Sequence, residues 1–194
     1  MKKGFTLLEL LIVIGILAIL STTMILVINP AEILKKARDS QRISDLNTLK
    51  SAIAYYITST SSPNIGLSTK TYSSNVTDVN CGRTTASATT TLTVDGNGWI
   101  PINFNSLIGG SPIGSLPQDP NPSTSATATS TPSRYYVYLP NDSDYTFTLV
   151  ANMESATYSQ QEATDGGNVS TLYEVGTAML LDDTATDCFP NPGY

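Results

Sequence analysis

The sequence contains no histidine, only two cysteines, and few charged residues, which make up 13% of its 194 positions. Without histidine, the chain has neither a Ser-His-Asp or Cys-His catalytic relay nor a metal site with histidine ligands. It carries 10 Lys and Arg against 16 Asp and Glu, whereas binding to nucleic-acid phosphates requires a basic surface. We therefore expect no enzyme active site, no cofactor and no direct nucleic-acid site.

Long apolar runs are also absent, with one exception at positions 7–28, where Glu9 is the single charged residue. As a helix this run spans about 33 Å, which is enough to cross the hydrocarbon core of a bilayer. A secretory signal peptide is the alternative, because Lys2 and Lys3 precede the run. The run is longer than a typical signal core, however, and no Ala-x-Ala-like site follows it. The sequence therefore predicts a membrane segment.

Glu9 requires a partner, because a carboxylate inside a membrane helix costs about 2.5 to 3.5 kcal/mol on insertion scales. Cleavage after Gly4 would create a positively charged α-amine on Phe5, four residues before Glu9. This amine could meet Glu9 of its own chain, or Glu9 of a neighbouring chain shifted by about one helical turn. In the second arrangement, Glu9 would set the stagger between subunits.

Positions 1–20, MKKGFTLLELLIVIGILAIL, resemble the class III signal of bacterial type IV pilins and type II secretion pseudopilins. The resemblance implies that Gly4 is read by a membrane-embedded prepilin peptidase, which also N-methylates Phe5, and that Glu9 pairs with the Phe5 amine of an adjacent subunit. It implies a single-pass precursor in the inner membrane, with residues 1–4 in the cytoplasm and the rest outside. An inner-membrane assembly platform and other copies of the chain would then be its partners.

A second helical pattern follows the membrane run. Asn29-Pro30 marks an interruption, either as a helix kink or as the start of a new helix with Pro30 in its first position. One face carries charges at helical spacing and is expected to face solvent, with Asp39 and Asp45 each three residues from Arg42. The opposite face is an apolar stripe formed by Ile43, Leu46, Leu49, Ile53 and Ile57. Residues 5–30 and 31–62 are thus predicted as a hydrophobic helix followed by an amphipathic one.

Residues 63–194, which we call the head, are predicted to form a β-sheet. Short runs of β-forming residues lie between turn residues at 89–94, 99–104, 134–139, 145–153 and 171–181. They suggest an antiparallel sheet with one apolar face, which the amphipathic helix would cover. Segments GSLPQDP (114–120), YYVY (135–138) and YTFTLVANME (145–154) are similar to the heads of pseudopilins and major pilins. The predicted fold class is α+β, the pilin fold.

Two further features concern the surface of the head. The Ser/Thr-rich tract 123–133 is too polar to join a core and is expected to be a flexible loop, with O-glycosylation or adhesion as alternatives. Outside the cytoplasm, Cys81 and Cys188 are expected to form one disulfide that ties down the C-terminal tail, although two buried thiols are the alternative.

Acidic residues are the remaining candidates for chemistry, as acid–base pairs or as calcium ligands of the kind some pseudopilin heads use. They lie in turn-like contexts and lack the D-x-[DN]-x-[DN]-G spacing, so a solvated surface is favoured and no metal site is predicted. The candidates are Asp142, Asp144, Asp165, Asn168, Asp182, Asp183 and Asp187.

The predicted function is therefore structural. The favoured hypothesis is a pilin of a type IV pilus-like surface filament that serves adhesion, motility or DNA uptake. The alternative is a pseudopilin of a type II secretion or competence machine. A membrane-anchored binding module or a tethered enzyme would have no use for Glu9 or for a peptidase site before Phe5.

Overall fold

The computed structural model describes residues 4–76, 79–122, 134–181 and 188–189. Residues 1–3 of the predicted leader, the tract 123–133, most of the predicted tail and the acidic residues at 182, 183 and 187 lie outside this part of the chain. The chain divides into two compact units, Met1–Lys35 and Lys36–Tyr194.

The first unit contains helix α1, Leu7–Ile28, and the start of α2, Pro30–Ser59. Asn29 between them has a left-handed backbone with φ 42°, a conformation that asparagine tolerates at helix ends. Its carbonyl accepts the N–H groups of Glu32 at 3.1 Å and Ile33 at 3.4 Å. Pro30 occupies the first position of α2, where its missing N–H leaves no hydrogen bond unmade.

In the second unit, the predicted apolar stripe of α2 packs into the protein. Leu46, Leu49 and Ile53 are fully buried, and Ile43 and Ile57 are half-buried. The helix ends at Ser59, four residues before Pro63, whose ring disfavours helical backbone in the preceding residue. This confirms an amphipathic helix, and its apolar side forms part of the main core.

Within the described residues, the β-sheet has five strands in the order β2-β1-β3-β4-β5. The pairs β1–β3, β3–β4 and β4–β5 are antiparallel, but β1–β2 is parallel. The α+β class is therefore confirmed, but the sheet is mixed rather than purely antiparallel. The pairing of β1 and β2 is parallel because β2 begins at Thr85, beside Lys70 at the start of β1. The strands are Lys70–Ser73 (β1), Thr85–Ala88 (β2), Val137–Asn141 (β3), Thr146–Ala151 (β4) and Tyr173–Gly176 (β5).

Three of the five predicted strands are present, as β3, β4 and β5. The strands predicted at 89–94 and 99–104 are wrong, since residues 89–103 form irregular chain with one isolated bridge, Asp95 to Asn103, and a 3₁₀ helix, Phe104–Ser106, follows. Gly96, Gly98 and Pro101 interrupt any regular ladder there. The apolar residues of this region nevertheless enter the main core, including Trp99, Ile100, Ile102 and Phe104.

Both faces of the sheet are buried, whereas one apolar face was expected. Phe147 and Leu149 of β4 belong to the core that α2 covers, and Val150 of the same strand belongs to a second core. The second core includes both cysteines, and the Cys81–Cys188 disulfide is formed as predicted. Beside it, the rings of Tyr135 and Phe189 stack with their centroids 4.6 Å apart. The disulfide therefore lies within the second core, which covers the face of the sheet opposite α2.

Candidate functional site

The predicted cleavage site lies in exposed, non-helical chain immediately before α1. Phe5 is 78% exposed, and the space next to the Gly4 Cα is open, since no atom lies within 4 Å of where a Cβ would stand. Helix α1 begins only at Leu7. The peptide bond between Gly4 and Phe5 is therefore accessible in non-helical chain.

Glu9 is held by the residue that caps its own helix. Thr6 is the N-cap, and its side-chain oxygen accepts the Glu9 N–H at 3.2 Å. In return, Glu9 Oε2 accepts the Thr6 N–H at 2.9 Å and the Thr6 hydroxyl at 2.8 Å. Within the described residues, no Lys or Arg forms an ion pair with Glu9. The carboxylate thus has local hydrogen bonds but no counter-charge from residues 4–76, 79–122, 134–181 and 188–189.

Helix α1 presents apolar side chains to its surroundings on every side. Its large aliphatic residues from Leu7 to Met24 are all at least 45% exposed. The segment Leu7–Met24 is long and apolar enough to cross a membrane. A helix with an apolar surface all round needs lipid or neighbouring helices to cover it. Pro30 lies just beyond this segment at the start of α2, and its role as a kink stays a prediction.

The second unit contains a buried group of charges that we call the Arg42 cluster; its members are Arg38, Asp39, Arg42, Asp119, Arg134 and Glu154. Arg42 of α2 is its centre and is fully buried. Its Nε and Nη2 donate to the two carboxylate oxygens of Asp119 at 2.7 and 2.8 Å. Its Nη1 donates to Asp39 at 2.7 Å, and Nη2 also donates to Glu154 at 2.5 Å. The three acids balance the three arginines.

Glu154 connects the remaining members of the Arg42 cluster. Arg38 donates to it through Nε at 3.0 Å and Nη2 at 2.7 Å, and Arg134 Nη2 lies 3.3 Å from it. Burial opposes ionisation of Glu154, but the hydrogen bonds from Arg38 and Arg42 outweigh it and lower its pKa to about 2. Burial likewise opposes the charged form of Arg42, yet Asp119 and Glu154 raise its pKa. Glu154 and Arg42 are therefore both ionised at neutral pH.

The burial of this cluster corrects the expectation of a solvent-exposed charged face on α2. The predicted Asp39–Arg42 pair exists, but both side chains are 0% exposed. Asp119 lies in the segment 114–120 and Glu154 ends the segment 145–154, both of which resemble pilin heads. The sequence shows only that each segment carries an acid at or near its end; it does not show that these acids meet Arg42.

The acidic candidates Asp142, Asp144 and Asp165 accept hydrogen bonds from other groups of the head. Asp165 accepts the N–H groups of Gly167 at 2.7 Å and Glu174 at 2.6 Å. Asp142 accepts the Ser68 N–H, and Asp144 accepts from the side chain of Asn141. In the described part of the chain, no three His, Cys, Asp or Glu residues are placed to hold a metal ion together. Asp144 and Asp165 therefore accept hydrogen bonds from groups close to them in sequence, and Asp142 links its turn to the distant residue Ser68.

Residues 1–25 match the family model of the prokaryotic N-terminal methylation motif. This motif is the class III signal peptide of type IV pilins and pseudopilins, so the resemblance seen at positions 1–20 is confirmed. No curated protein and no solved structure matches the chain. The motif supports a class of structural subunits that are not enzymes, and the α+β architecture with a sheet head fits the pilin fold.

Proposed function

We propose that this chain is the pilin of a type IV pilus-like surface filament. In this proposal, residues 1–4 are a cytoplasmic leader that prepilin peptidase removes, and residues 5–30 become the core of the fibre. Residues 31–62 form the amphipathic helix, and the head forms the fibre surface. The observation that supports the proposal most strongly is the methylation motif followed by an apolar helix that is exposed on every side and contains one carboxylate.

Cleavage would supply a cation close to Glu9. Among the described residues of the uncleaved chain, Glu9 is bound by Thr6, through groups that carry no net charge. Removal of residues 1–4 creates the Phe5 α-amine at the same end of α1, and N-methylation leaves that amine positively charged. Pairing between this amine and Glu9 of the next subunit would offset the cost of burying both charges among apolar helices.

The membrane serves as the reservoir in this proposal. The exposed apolar surface of α1 is compatible with lipid before assembly and with neighbouring α1 helices after it, because both environments are equally apolar. The head would lie outside the cytoplasm, where a disulfide such as Cys81–Cys188 persists. An inner-membrane platform would transfer the subunit from lipid into the filament, which would serve adhesion, motility or DNA uptake.

A pseudopilin of a type II secretion or competence machine is the second candidate, because the same motif marks both classes. We favour the pilin because the head is large and disulfide-linked and carries the Ser/Thr-rich tract 123–133. These features suit a surface that is permanently exposed outside the cell.

The test is to shear fibres from the producing cells, image them by electron microscopy and analyse them by intact-mass spectrometry. We expect this chain to be the bulk component, to begin at Phe5 and to carry one additional methyl group. An intact Met1 terminus in assembled material would contradict the processing proposal. A correctly cleaved chain that is absent from sheared fibres would favour the pseudopilin instead.

A further inference from the structure

The connection between β4 and β5 contains a buried carboxyl group outside the processing segment and the Arg42 cluster. Glu162 is the last residue of the short helix α3, Ser159–Glu162, and is 2% exposed. Its Oε1 accepts the Met153 N–H at 3.0 Å. Its Oε2 has no hydrogen-bond partner among the described residues. Such a group is costly to bury in its charged form.

The backbone that Glu162 contacts is also held by Asp39 of the Arg42 cluster. Asp39 accepts the Glu154 N–H at 2.9 Å and the Ser155 N–H at 2.8 Å. Three successive N–H groups, from Met153 to Ser155, are therefore bound by two buried carboxyl groups. Release of either carboxyl group would free one end of this short segment.

The two carboxyl groups differ in their charged neighbours. Asp39 is paired with Arg42 at 2.7 Å. The charged groups that act on Glu162 are both acidic, namely Asp39 from α2 and Asp165 from the turn before β5. Burial raises the pKa of Glu162 to about 8, the Met153 N–H opposes this shift, and the charges of Asp39 and Asp165 add to it.

We propose that Glu162 is a proton-binding site that fastens α3 to the start of the β4–β5 connection, beside the Arg42 cluster, and that loss of its proton releases α3. An ionised Glu162 would be repelled by Asp39 and Asp165, and none of the described cations forms an ion pair with it, so we expect its side chain to move toward water. Helix α3 has four residues and is too short to persist without its packing. This proposal does not depend on whether the chain polymerises.

The direction of the pH dependence follows from the two states. In the unfolded chain Glu162 loses its proton near pH 4.5, and in the folded protein it does so near pH 8. The folded state therefore binds more protons between these values. The stabilisation is complete below about pH 4.5 and is lost as the pH rises through about 8.

The first test is a pH titration of the full chain in detergent micelles, with ¹³C-labelled glutamate carboxyl groups observed by NMR. The Glu162 signal, assigned by its loss in Glu162→Gln, should titrate near pH 8. A Glu162 signal that titrates near pH 4.5 would overturn the proposal. If Glu162→Gln folds poorly, a wild-type chain in which no glutamate signal titrates near pH 8 would equally overturn the proposal.

The second test is hydrogen exchange of Met153 at about pH 6 and about pH 8.5, corrected for intrinsic exchange rates. We expect its protection to fall at least about tenfold over this range in the wild type and to stay constant in Glu162→Gln. Asp144→Asn, which removes an exposed carboxylate in the β3–β4 turn, should behave like the wild type. An equal loss of protection in the wild type and in Glu162→Gln would refute the proton-binding role.

Discussion

Arg42 and Asp119 are separated by 77 positions and form a two-point ion pair in the interior. Their side chains are 0% and 1% exposed. Since α2 supplies Arg42 and the segment 114–120 supplies Asp119, the pair fixes that segment on the helix in one register. Glu154, 112 positions from Arg42, is held by the same guanidinium. One side chain thus joins the helix to two distant segments of the head.

Replacing Arg42 with methionine should strongly destabilise the second unit. The variant keeps a side chain of similar length but leaves Asp39, Asp119 and Glu154 without their central cation. Removing one partner of a buried ion pair costs about 3 to 5 kcal/mol. Urea unfolding of the full chain in detergent, followed by tyrosine and tryptophan fluorescence, should show this loss in the free energy of unfolding.

Arg38→Met is the matched control for that variant, because Arg38 contacts the same Glu154 but its side chain is 28% exposed. It should cost only about 1 kcal/mol, as partly exposed pairs do. If both arginine variants were equally stable, the central role of Arg42 would be wrong. Arg42→Lys should fall closer to Arg42→Met than to wild type, because lysine lacks the two-point geometry.

Acid should weaken the head through Glu154. Its pKa is about 2 in the folded protein and 4.5 without its partners. The ionised form therefore contributes stability that is complete above about pH 4.5 and is lost as the pH falls toward about 2, with a magnitude of about 3 kcal/mol. In Glu154→Gln, the free energy of unfolding should be lower at neutral pH and should fall less on acidification. A variant with the same acid sensitivity as wild type would exclude Glu154 as the source.

Some features of this fold were predictable from local sequence patterns, and others depended on distant residues. The alternation at 145–150 predicted β4, and helical spacing predicted the buried side of α2, because each pattern is contained in one element. Strands β1 and β2, KTYS and TASA, carry little apolar signal. These two strands form because β1 pairs with both β2 and β3. Their parallel register depends on the path of the chain between them.

The Arg42 cluster was hidden from sequence analysis for a different reason. The spacing of three between Asp39 and Arg42 is the same whether this side of α2 faces solvent or packs against a loop. Burial of this pair depends on Asp119 and Glu154, which reach it only after the head has folded. The capping box of Thr6 and Glu9, by contrast, follows the local S/T-x-x-E pattern and was predictable from the sequence.

Loss of the disulfide should loosen the second core. Replacing Cys81 and Cys188 with alanine removes a link between residues 107 positions apart, which is worth about 4 to 5 kcal/mol as an upper entropic value. The stacked pair of Tyr135 and Phe189 should separate, since Phe189 directly follows Cys188. Near-ultraviolet circular dichroism and urea unfolding should both report the change. The single variant Cys81→Ala should match the double variant. An unchanged midpoint of urea unfolding in the double variant would show that packing alone holds this region.

Replacing Glu9 with glutamine should block assembly without impairing membrane insertion. Glutamine retains the size of the side chain and its hydrogen bonds to Thr6, but it cannot pair with a charged Phe5 amine. We expect fibre yield to fall at least about tenfold while membrane fractions hold normal amounts of the chain. Thr6→Ala is the control, because it removes the N-cap at about 1 kcal/mol of local helix stability and leaves the charge of Glu9 intact. If Thr6→Ala abolished fibres and Glu9→Gln did not, the carboxylate would serve as a helix cap, and subunit pairing would need another source.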